Sequence, residues 1–259
     1  MRTPVVHHAL RRRRARRLRA LWTGGELLVT VGVVLLLLVV HQLWWTNREA
    51  RQGAERKVQA LEREWGAPEA SSSAGGSVST PTAGSTGATS GSGVRKQGRT
   101  AVSGPVRPGP SQAYAVLIIP RLSLRAPVAE GVSKADVLNK GYVGHYPGTA
   151  QPGQAGNFAL AGHRNTHGEP FRYLNRLRRG DTVTVETRSA TYTYVVGQVL
   201  PRTSPVDGGV IAPVPRSRVD PSYGYDRPGY YLTLTTCTPE FTSRYRLVVW
   251  GMLASARPR

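Results

Sequence analysis

An uninterrupted apolar run near the N-terminus constrains the fold of this chain more than any other feature. Residues 27–45 contain no aspartate, glutamate, lysine or arginine, and a helix needs about 20 such residues to cross a bilayer. Trp44 and Trp45 close the run, where a signal peptide would have small residues for cleavage, and tryptophan suits the membrane interface. The run therefore predicts one transmembrane helix over residues 26–46, with a buried core helix as the alternative.

The charges around this run predict the orientation of the chain. Eight arginines precede Glu26, the first acidic residue, whereas no arginine directly follows the run. By the positive-inside rule, we expect a single-pass protein of the cell membrane, with a cytoplasmic N-terminus and an extracellular folded domain. The formal net charge is +20. A nucleic-acid-binding protein would have a basic face with aromatic residues on a folded module, whereas this cluster adjoins a membrane segment, so nucleic acid is not predicted as a partner.

Composition divides the chain into four parts. Residues 1–25 are predicted to be a basic cytoplasmic tail, residues 26–46 the transmembrane helix, residues 47–113 a stalk and linker, and residues 114–259 the folded domain. From residue 66 to 111 the chain is dominated by Gly, Ser, Ala, Thr and Pro, which cannot bury enough apolar surface to fold. About 45 such residues span roughly 35–40 Å as a flexible coil, so we expect a disordered tether that carries the domain away from the membrane.

Short apolar or alternating runs, broken by Gly, Pro and Asp, begin at residue 114. They predict eight β-strands, over residues 115–119, 122–129, 141–144, 157–161, 181–187, 191–200, 230–236 and 245–253. Eight short strands indicate an all-β domain that closes into a barrel. Two helical turns are predicted at residues 133–138 and 170–177, and the segment 202–229 is long enough to be a functional loop.

Cys237 is the only cysteine of the chain, and the predicted orientation places it outside the cytoplasm. Thiols there usually form disulfides, so a cysteine without a partner is reactive, joined to another molecule, or buried and inert. Thr233, Thr235 and Cys237 share one face of their predicted strand, and Arg244 and Arg246 share one face of the next. If these strands are neighbours, a guanidinium could reach the space in front of the thiol.

A catalytic thiol needs a basic or cationic neighbour, because at its ordinary pKa of about 8.5 it is mostly protonated at neutral pH. His163 directly follows the predicted strand 157–161, and Gly162 allows the backbone to turn there. We therefore favour His163 as the base. His145 and His167 lie in glycine-containing turns, where an exposed or structurally bonded histidine is the better interpretation.

An arginine could complete such a site. Acyl transfer through a thiolate produces a negatively charged oxygen, which a fixed guanidinium stabilises. Arg246 or Arg244 could serve, and a solvated charge on the strand face remains the alternative for both. No carboxylate is placed so as to suggest a Cys-His-Asp triad, and no clustered ligands indicate a metal site.

Three motifs resemble the signature of the sortases, the membrane-anchored cysteine transpeptidases of Gram-positive bacteria. They are Thr-Leu-Thr-Thr-Cys at 233–237, Ala-Gly-His at 161–163, and the Arg-Leu-Val-Val that begins at Arg246, nine positions after the cysteine. The resemblance covers residues 114–253. Gly-His-Tyr-Pro-Gly-Thr-Ala, followed by Ala-Gly-His-Arg-Asn-Thr-His-Gly, is most similar to class E, which is found in high-GC actinobacteria.

The resemblance implies a sortase-type eight-stranded β-barrel with short helices and an active site at strand ends. It implies Cys237 as the nucleophile, His163 as the general acid/base, and Arg246 as the oxyanion-stabilising or substrate-positioning group, with Arg244 in reserve. Thr236 and Tyr146 become candidate substrate-binding residues.

The resemblance also implies a reaction and its partners. A surface protein carrying a Leu-Ala-x-Thr-Gly or Leu-Pro-x-Thr-Gly sorting signal is cleaved between Thr and Gly through a thioacyl enzyme, and an amine of a peptidoglycan precursor then receives it. Class E is thought to favour the alanine-containing signal. The segment 202–229 would help to form the signal's groove, and neither a cofactor nor a metal is implied. The alternatives are a cysteine peptidase, in which water resolves the same intermediate, and, less favoured, a non-catalytic tethered wall-binding module.

Overall fold

The computed structural model describes residues 8–66 and 108–259, which form one long helix and a β-barrel. The helix, α1, extends over His8–Gly66. It contains the predicted transmembrane segment and continues well beyond it. The predicted tether lies almost wholly outside the described residues, as do residues 1–7 of the predicted tail.

The apolar part of α1 is exposed on every side. All described side chains between residues 21 and 46 are accessible, and within the described ranges α1 is the one helix long and apolar enough to cross a bilayer. A helix that is apolar all round belongs in a protein core or a membrane, and this part of α1 is not covered by the barrel. It therefore fits a membrane anchor, and the direction in which it crosses the membrane stays a prediction.

Eight strands confirm the predicted barrel. They are β1 (Ala113–Ile119), β2 (Leu124–Glu130), β3 (Val143–His145), β4 (Gly156–Ala161), β5 (Thr182–Thr187), β6 (Ala190–Thr203), β7 (Tyr230–Thr238) and β8 (Tyr245–Pro258). The order around the closed barrel is β1-β2-β3-β4-β7-β8-β6-β5. The pairs β2–β3 and β4–β7 are parallel, and the parallel pair β4–β7 is the one that positions the candidate site.

The two predicted helical turns are shorter than expected. Only Leu138–Lys140 and Leu174–Arg176 are helical, each as a single 3₁₀ turn that follows non-helical turn residues. Ser133 does cap its turn, because the Asp136 N–H donates to the Ser133 hydroxyl at 3.3 Å. Both segments are too short to offset the free-energy cost of nucleating an α-helix.

Side chains of β7 alternate between the barrel interior and the outer face. Leu232 and Leu234 belong to the interior core. Thr233, Thr235 and Cys237 therefore share the opposite, outer face, as the sequence predicts. The candidate nucleophile thus lies outside the barrel.

Residues 204–229, which we call the β6–β7 loop, cover part of this outer face. The Asp207 carboxylate accepts hydrogen bonds from the hydroxyls of Thr203 and Ser217, both at 2.6 Å. A backbone carbonyl of the loop accepts a bond from the Trp250 indole at 3.0 Å. The loop is therefore fixed to the barrel wall, and it begins two residues later than predicted because β6 extends to Thr203.

Beyond its apolar part, α1 lies along the barrel. Val58 and Leu61 are buried in a cluster with Val116 of β1. Glu62 forms an ion pair with Arg125 of β2. The segment predicted as a stalk is therefore a continuation of the anchoring helix that packs against the folded domain.

Candidate active site

Cys237 and His163 come together through the parallel pairing of β4 and β7. Ala161 lies opposite Thr235, so two residues further along, His163 comes level with Cys237. The Gly162 N–H donates to the Thr235 carbonyl at 3.1 Å, which extends the pairing past the end of β4. The structure thus brings the predicted nucleophile and base to neighbouring strand ends, while their chemical roles stay predictions.

The antiparallel pairing of β7 with β8 distinguishes the two candidate arginines. Arg246 lies directly opposite Cys237, and such residues share a face with their Cβ atoms roughly 4.5–5.5 Å apart. Its guanidinium donates to the carbonyls of Ser243 at 2.9 Å and Tyr245 at 3.0 Å. Arg244 is exposed and lies before β8, with its guanidinium 5.3 Å from the Tyr245 ring centroid. The geometry therefore favours Arg246.

The surroundings of His163 set its protonation state. Nε2 lies 2.9 Å from Asn139 Oδ1, and the ring centroids of His163 and His167 are 5.4 Å apart. Burial of the ring, followed by the charges of His167 and Lys134, lowers the pKa of His163 to about 4. The ring is therefore neutral at pH 7, so that Nε2–H donates to Asn139 and Nδ1 keeps the lone pair that a base needs.

Arg164 joins the loop after β4 to the end of β7. Its side chain is buried, and Nη1 donates to the Cys237 carbonyl at 3.2 Å and to Thr238 Oγ1 at 2.9 Å. Neither Arg164 nor Asn139 is predicted as a site residue from the sequence. Adjacency to His163 is the one signal for Arg164, and Asn139 lies 24 residues from His163, so only the tertiary fold brings that pair together.

Thr236 faces the barrel interior and supports the backbone of the site. Its side chain is buried, and its hydroxyl donates to the Gly162 carbonyl at 2.8 Å. This bond fixes the peptide group immediately before His163. The hydroxyl is thus engaged away from the outer face that carries Cys237, and substrate binding by Thr236 stays a prediction.

Tyr146 follows β3 and reaches the outer face of β7. Its hydroxyl lies 3.1 Å from Thr235 Oγ1, and the Thr235 hydroxyl donates to the Leu160 carbonyl at 3.1 Å. Because Thr235 has a single hydroxyl hydrogen, the Tyr146 O–H is the donor between the two side chains. Thr235 is two residues before Cys237 on the same face, so the structure brings Tyr146 beside the candidate site, and its role towards substrate stays a prediction.

His145 has hydrogen-bond partners on both ring nitrogens. The residue is fully buried, with Nδ1 2.6 Å from Glu130 Oε2 and Nε2 2.8 Å from Thr149 Oγ1. The Thr149 hydroxyl donates to the Tyr146 carbonyl at 2.8 Å, so Nε2–H must donate to Thr149. These contacts fit the interpretation of His145 as a structurally bonded histidine.

An open cavity of about 290 Å³ lies between residues 148–157 and the β6–β7 loop. Ile211 and Pro213 form part of its wall, and the Asn157 side chain donates to the Ala212 carbonyl at 3.0 Å. The loop predicted to help form a substrate groove thus lines a cavity. In residues 8–66 and 108–259, no three His, Cys, Asp or Glu side chains are arranged to hold a metal ion.

The structure places a cysteine, a neutral histidine and an arginine at adjoining strand ends of a closed barrel, and these are the types of group that a thiol-dependent acyl transfer requires. A family model described as "Sortase domain" matches residues 117–254. Sortase SrtE1 of Streptomyces coelicolor is 42% identical to this chain over 240 residues, which are 91% of this chain and 57% of SrtE1. The chain belongs to the sortase family, and within it to class E.

Solved structures agree with this assignment. The crystal structure of S. coelicolor sortase E1 with a tripeptide in its active site is 51% identical, with a TM-score of 0.55, over 59% of this chain and 94% of that one. Sortase E of Streptomyces avermitilis is 44% identical, with a TM-score of 0.51, over 58% of this chain and 93% of that one. The chain spans 57% of the length of SrtE1, the curated relative described above.

Proposed function

We propose that this chain is a membrane-anchored cysteine transpeptidase that cleaves a Leu-Ala-x-Thr-Gly or Leu-Pro-x-Thr-Gly sorting signal between Thr and Gly. It joins the released protein to an amine of a peptidoglycan precursor. The observation that carries the proposal is the convergence of Cys237, His163 and Arg246 at adjoining strand ends. Membership of class E supports the same reaction.

In the first half-reaction, His163 takes the thiol proton and the Cys237 sulfur attacks the threonine carbonyl carbon. An S–C bond forms, and Arg246 stabilises the negative charge that develops on the carbonyl oxygen. When the tetrahedral intermediate collapses, the C–N bond to glycine breaks and His163 gives its proton to the departing amine. The substrate protein is left as a thioester on Cys237.

In the second half-reaction, an amine of the wall precursor attacks the thioester carbonyl. A new C–N bond forms, His163 accepts the amine proton, and the proton returns to the sulfur as the S–C bond breaks. One amide replaces another, so the reaction needs no cofactor.

The low pKa of His163 fits a resting site that holds a neutral imidazole. Proton transfer from Cys237 creates a thiolate, and a nearby opposite charge favours the imidazolium form.

A peptide substrate is supported by S. coelicolor sortase E1, which was solved with a tripeptide in its active site. We assign Tyr146 to recognition of the second signal residue, because its hydroxyl contacts Thr235 on the face of β7 that carries Cys237. The proposed partners are surface proteins with this signal, the precursor amine and the membrane. The arginine-rich N-terminus supports a cytoplasmic tail, an extracellular barrel and a location in the cell membrane.

The test uses the full chain in lipid nanodiscs with a Leu-Ala-x-Thr-Gly peptide or a Leu-Pro-x-Thr-Gly peptide, an amine nucleophile, and mass spectrometry of the products. We expect cleavage between Thr and Gly and joining to the amine, and the Cys237→Ala variant should give neither product. Free acid alone at saturating amine would indicate a peptidase. Binding of wall fragments without turnover of either peptide would indicate a tethered binding module.

A further inference from the structure

The first helical turn of α1 after the membrane segment touches two barrel segments, and both lead to His163. On one side Ala50 is buried against Gly141, where an added Cβ atom would lie 2.8 Å from the Ala50 carbonyl oxygen and 3.3 Å from the His167 carbonyl oxygen. Gly141, with φ +78°, ends the 3₁₀ turn that carries Asn139. Only glycine lets the helix, this turn and the His167 backbone approach so closely.

On the other side, two side chains of the same helical turn bind the backbone and carboxylate that follow His167. Asn47 Oδ1 accepts a bond from the Gly168 N–H at 2.9 Å, and Asn47 Nδ2 donates to Glu169 Oε1 at 2.8 Å. Arg51 Nε donates to the Gly168 carbonyl at 3.2 Å, and its terminal nitrogen donates to Glu169 Oε2 at 2.9 Å. We call these four bonds the helix clamp. Residues four apart lie on one helix face, so the clamp is built by α1 as a rigid element.

The clamped segment has a backbone conformation that needs external support. His167, Gly168 and Glu169 have φ values of +53°, +84° and +53°. Left-handed geometry costs roughly 1–2 kcal/mol for each residue that is not glycine, so the segment persists only where its surroundings impose it. Burial alone raises the pKa of Glu169, but hydrogen bonds from Arg172 and Asn47 and the charge of Arg51 outweigh it and lower that pKa. The carboxylate therefore remains ionised and bound to the clamp at neutral pH.

Both barrel segments that α1 touches, the 3₁₀ turn ending at Gly141 and the backbone of residues 167–169, lead to contacts with the His163 ring or its backbone. Asn139, from the turn that ends at Gly141, accepts the bond from Nε2, and the His167 ring lies against the His163 ring. The Phe171 N–H donates to the His163 carbonyl at 3.0 Å and closes the loop on its far side. A shift of α1 against the barrel would therefore displace both groups that fix the imidazole.

We propose that Asn47 and Arg51 are positioning residues for His163, so that the membrane-anchoring helix is part of the scaffold of the active site. The inference rests on the proposed function in that His163 is taken as the acid/base. Neither residue reaches the reacting atoms. They act by holding the 167–169 backbone against α1, and this backbone in turn packs against Gly141. The orientation of the imidazole relative to Cys237 is thereby fixed.

The test compares the full-chain double variant Asn47→Ala/Arg51→Ala with wild type and with Arg56→Ala, all in nanodiscs. Arg56 is a matched control, because it lies on the same helix, is exposed, and bonds the Gln52 carbonyl of its own helix at 3.3 Å. Thermal unfolding is measured for each variant, so that loss of folding is separated from loss of positioning.

Three readouts follow the imidazole. With ¹³C-labelled histidine, assigned through His163→Gln, the NMR titration midpoint of His163 should rise in the double variant from about 4 towards 6.5, because water reaches the ring as His167 and Lys134 move away. The pH dependence of the rate at which iodoacetamide alkylates Cys237 should also differ between the double variant and wild type. For transpeptidation, kcat of the double variant should fall at least about tenfold while KM stays within twofold of wild type. A 1 Å misplacement of a catalytic group such as the imidazole can lower the rate about 10²-fold. Arg56→Ala should leave all three unchanged.

The outcomes separate two failures. If the titration midpoint, the alkylation profile and kcat of the double variant all match Arg56→Ala, the clamp only docks the helix and the inference is wrong. If the midpoint and alkylation profile shift but wild type transfers no peptide, positioning stands and the proposed function fails, because neither of those readouts uses a sorting signal.

Discussion

Two histidines at adjoining strands of the barrel show how differently one fold can use the same side chain. His145 ends β3 and is paired with Leu160 of β4, whereas His163 follows the end of β4. The first is fully buried, with both ring nitrogens engaged and Glu130 within 2.6 Å. The second is half-buried, has one hydrogen bond to Asn139, and has a pKa lowered to about 4.

The difference is the one expected between a structural histidine and the acid/base proposed for His163. A ring that holds a carboxylate and a hydroxyl in place cannot exchange protons without breaking those bonds, so it stabilises the wall of the barrel. A ring with one committed nitrogen keeps a lone pair for proton transfer. The positions of the carboxylates follow the same division. Glu130 contacts the His145 ring, whereas no carboxylate in the described ranges forms an ion pair with Arg246.

The comparison predicts that loss of His163 or Cys237 abolishes activity while the barrel remains folded. We expect His163→Gln to lower kcat/KM by at least about 10³-fold and Cys237→Ala to leave no measurable transfer, because proton transfer and the nucleophile are removed. Both side chains are partly exposed, so the melting temperature should stay close to that of wild type. Peptide transfer by mass spectrometry and thermal unfolding check this. Substantial activity in His163→Gln would assign the base elsewhere.

The uncompensated charge at the site gives the next prediction. Arg246→Ala should lower kcat/KM by about 10²-fold, as expected when one group that stabilises an oxyanion is removed. Arg244→Ala is the matched control, since Arg244 is exposed and lies outside the ladder that places Arg246 opposite Cys237. It should change kcat/KM by less than about threefold, as expected for a surface substitution. Equal losses in the two variants would show that Arg246 has no special role.

His145→Gln should produce the opposite pattern from His163→Gln. Replacing the imidazole breaks the buried hydrogen bonds to Glu130 and Thr149, which should cost about 1–3 kcal/mol of unfolding free energy. The fraction that folds should keep kcat/KM within about threefold of wild type, because the ring does not touch the reacting atoms. Denaturant unfolding and active-site titration of the thiol measure the two effects. A selective loss of kcat with normal stability would break the distinction between the histidines.

The sequence predicts the barrel well because each strand carries its own signal. Alternation and β-branched runs indicate all eight strands, and the motifs around Cys237, His163 and Arg246 identify residues that the ladder then brings together. The helical turns are overestimated, because the segments 133–138 and 170–177 are too short to nucleate an α-helix.

What the sequence does not reveal depends on contacts between distant segments. Asn139 and the helix clamp have no local periodicity or motif that indicates their roles, and Arg164 is marked only by its place next to His163. The contacts of all three become visible only when β4, β7 and α1 are packed together. The polar segment after the membrane span predicts a short helical stalk at the membrane surface. Its buried positions, Ala50, Ala54, Val58 and Leu61, follow helical spacing, but two of them are alanines, so the apolar face is weak in the sequence. Tertiary contacts therefore decide its role.

The pH dependence of activity provides a finer test of the His163 environment. A neutral imidazole must accept the thiol proton, so kcat/KM should fall as pH falls through the pKa of His163, which burial lowers to about 4. The acidic limb should therefore lie well below the ordinary imidazole value of about 6.5. Asn139→Ala should alter this limb, whereas His145→Gln should not. If kcat/KM of wild type instead falls near pH 6.5, the burial of His163 and its positively charged neighbours do not lower its pKa.

Tyr146 connects the surroundings of His145 with those of Cys237, because it directly follows His145 and its hydroxyl donates to Thr235 near Cys237. Tyr146→Phe removes this one bond, which contributes about 1 kcal/mol to the stability of the fold. Because the ring is then less firmly oriented towards the signal, kcat/KM for the Leu-Ala-x-Thr-Gly peptide should fall by roughly threefold to tenfold. The matched control is Tyr142→Phe, since Tyr142 is also partly buried but packs in the cluster beneath α1. Both peptides are assayed with both variants. If Tyr146 recognises the signal, only Tyr146→Phe reduces the ratio of kcat/KM between the alanine-containing and proline-containing peptides. If both variants lower kcat/KM equally for both peptides, Tyr146 has a structural role like that of His145.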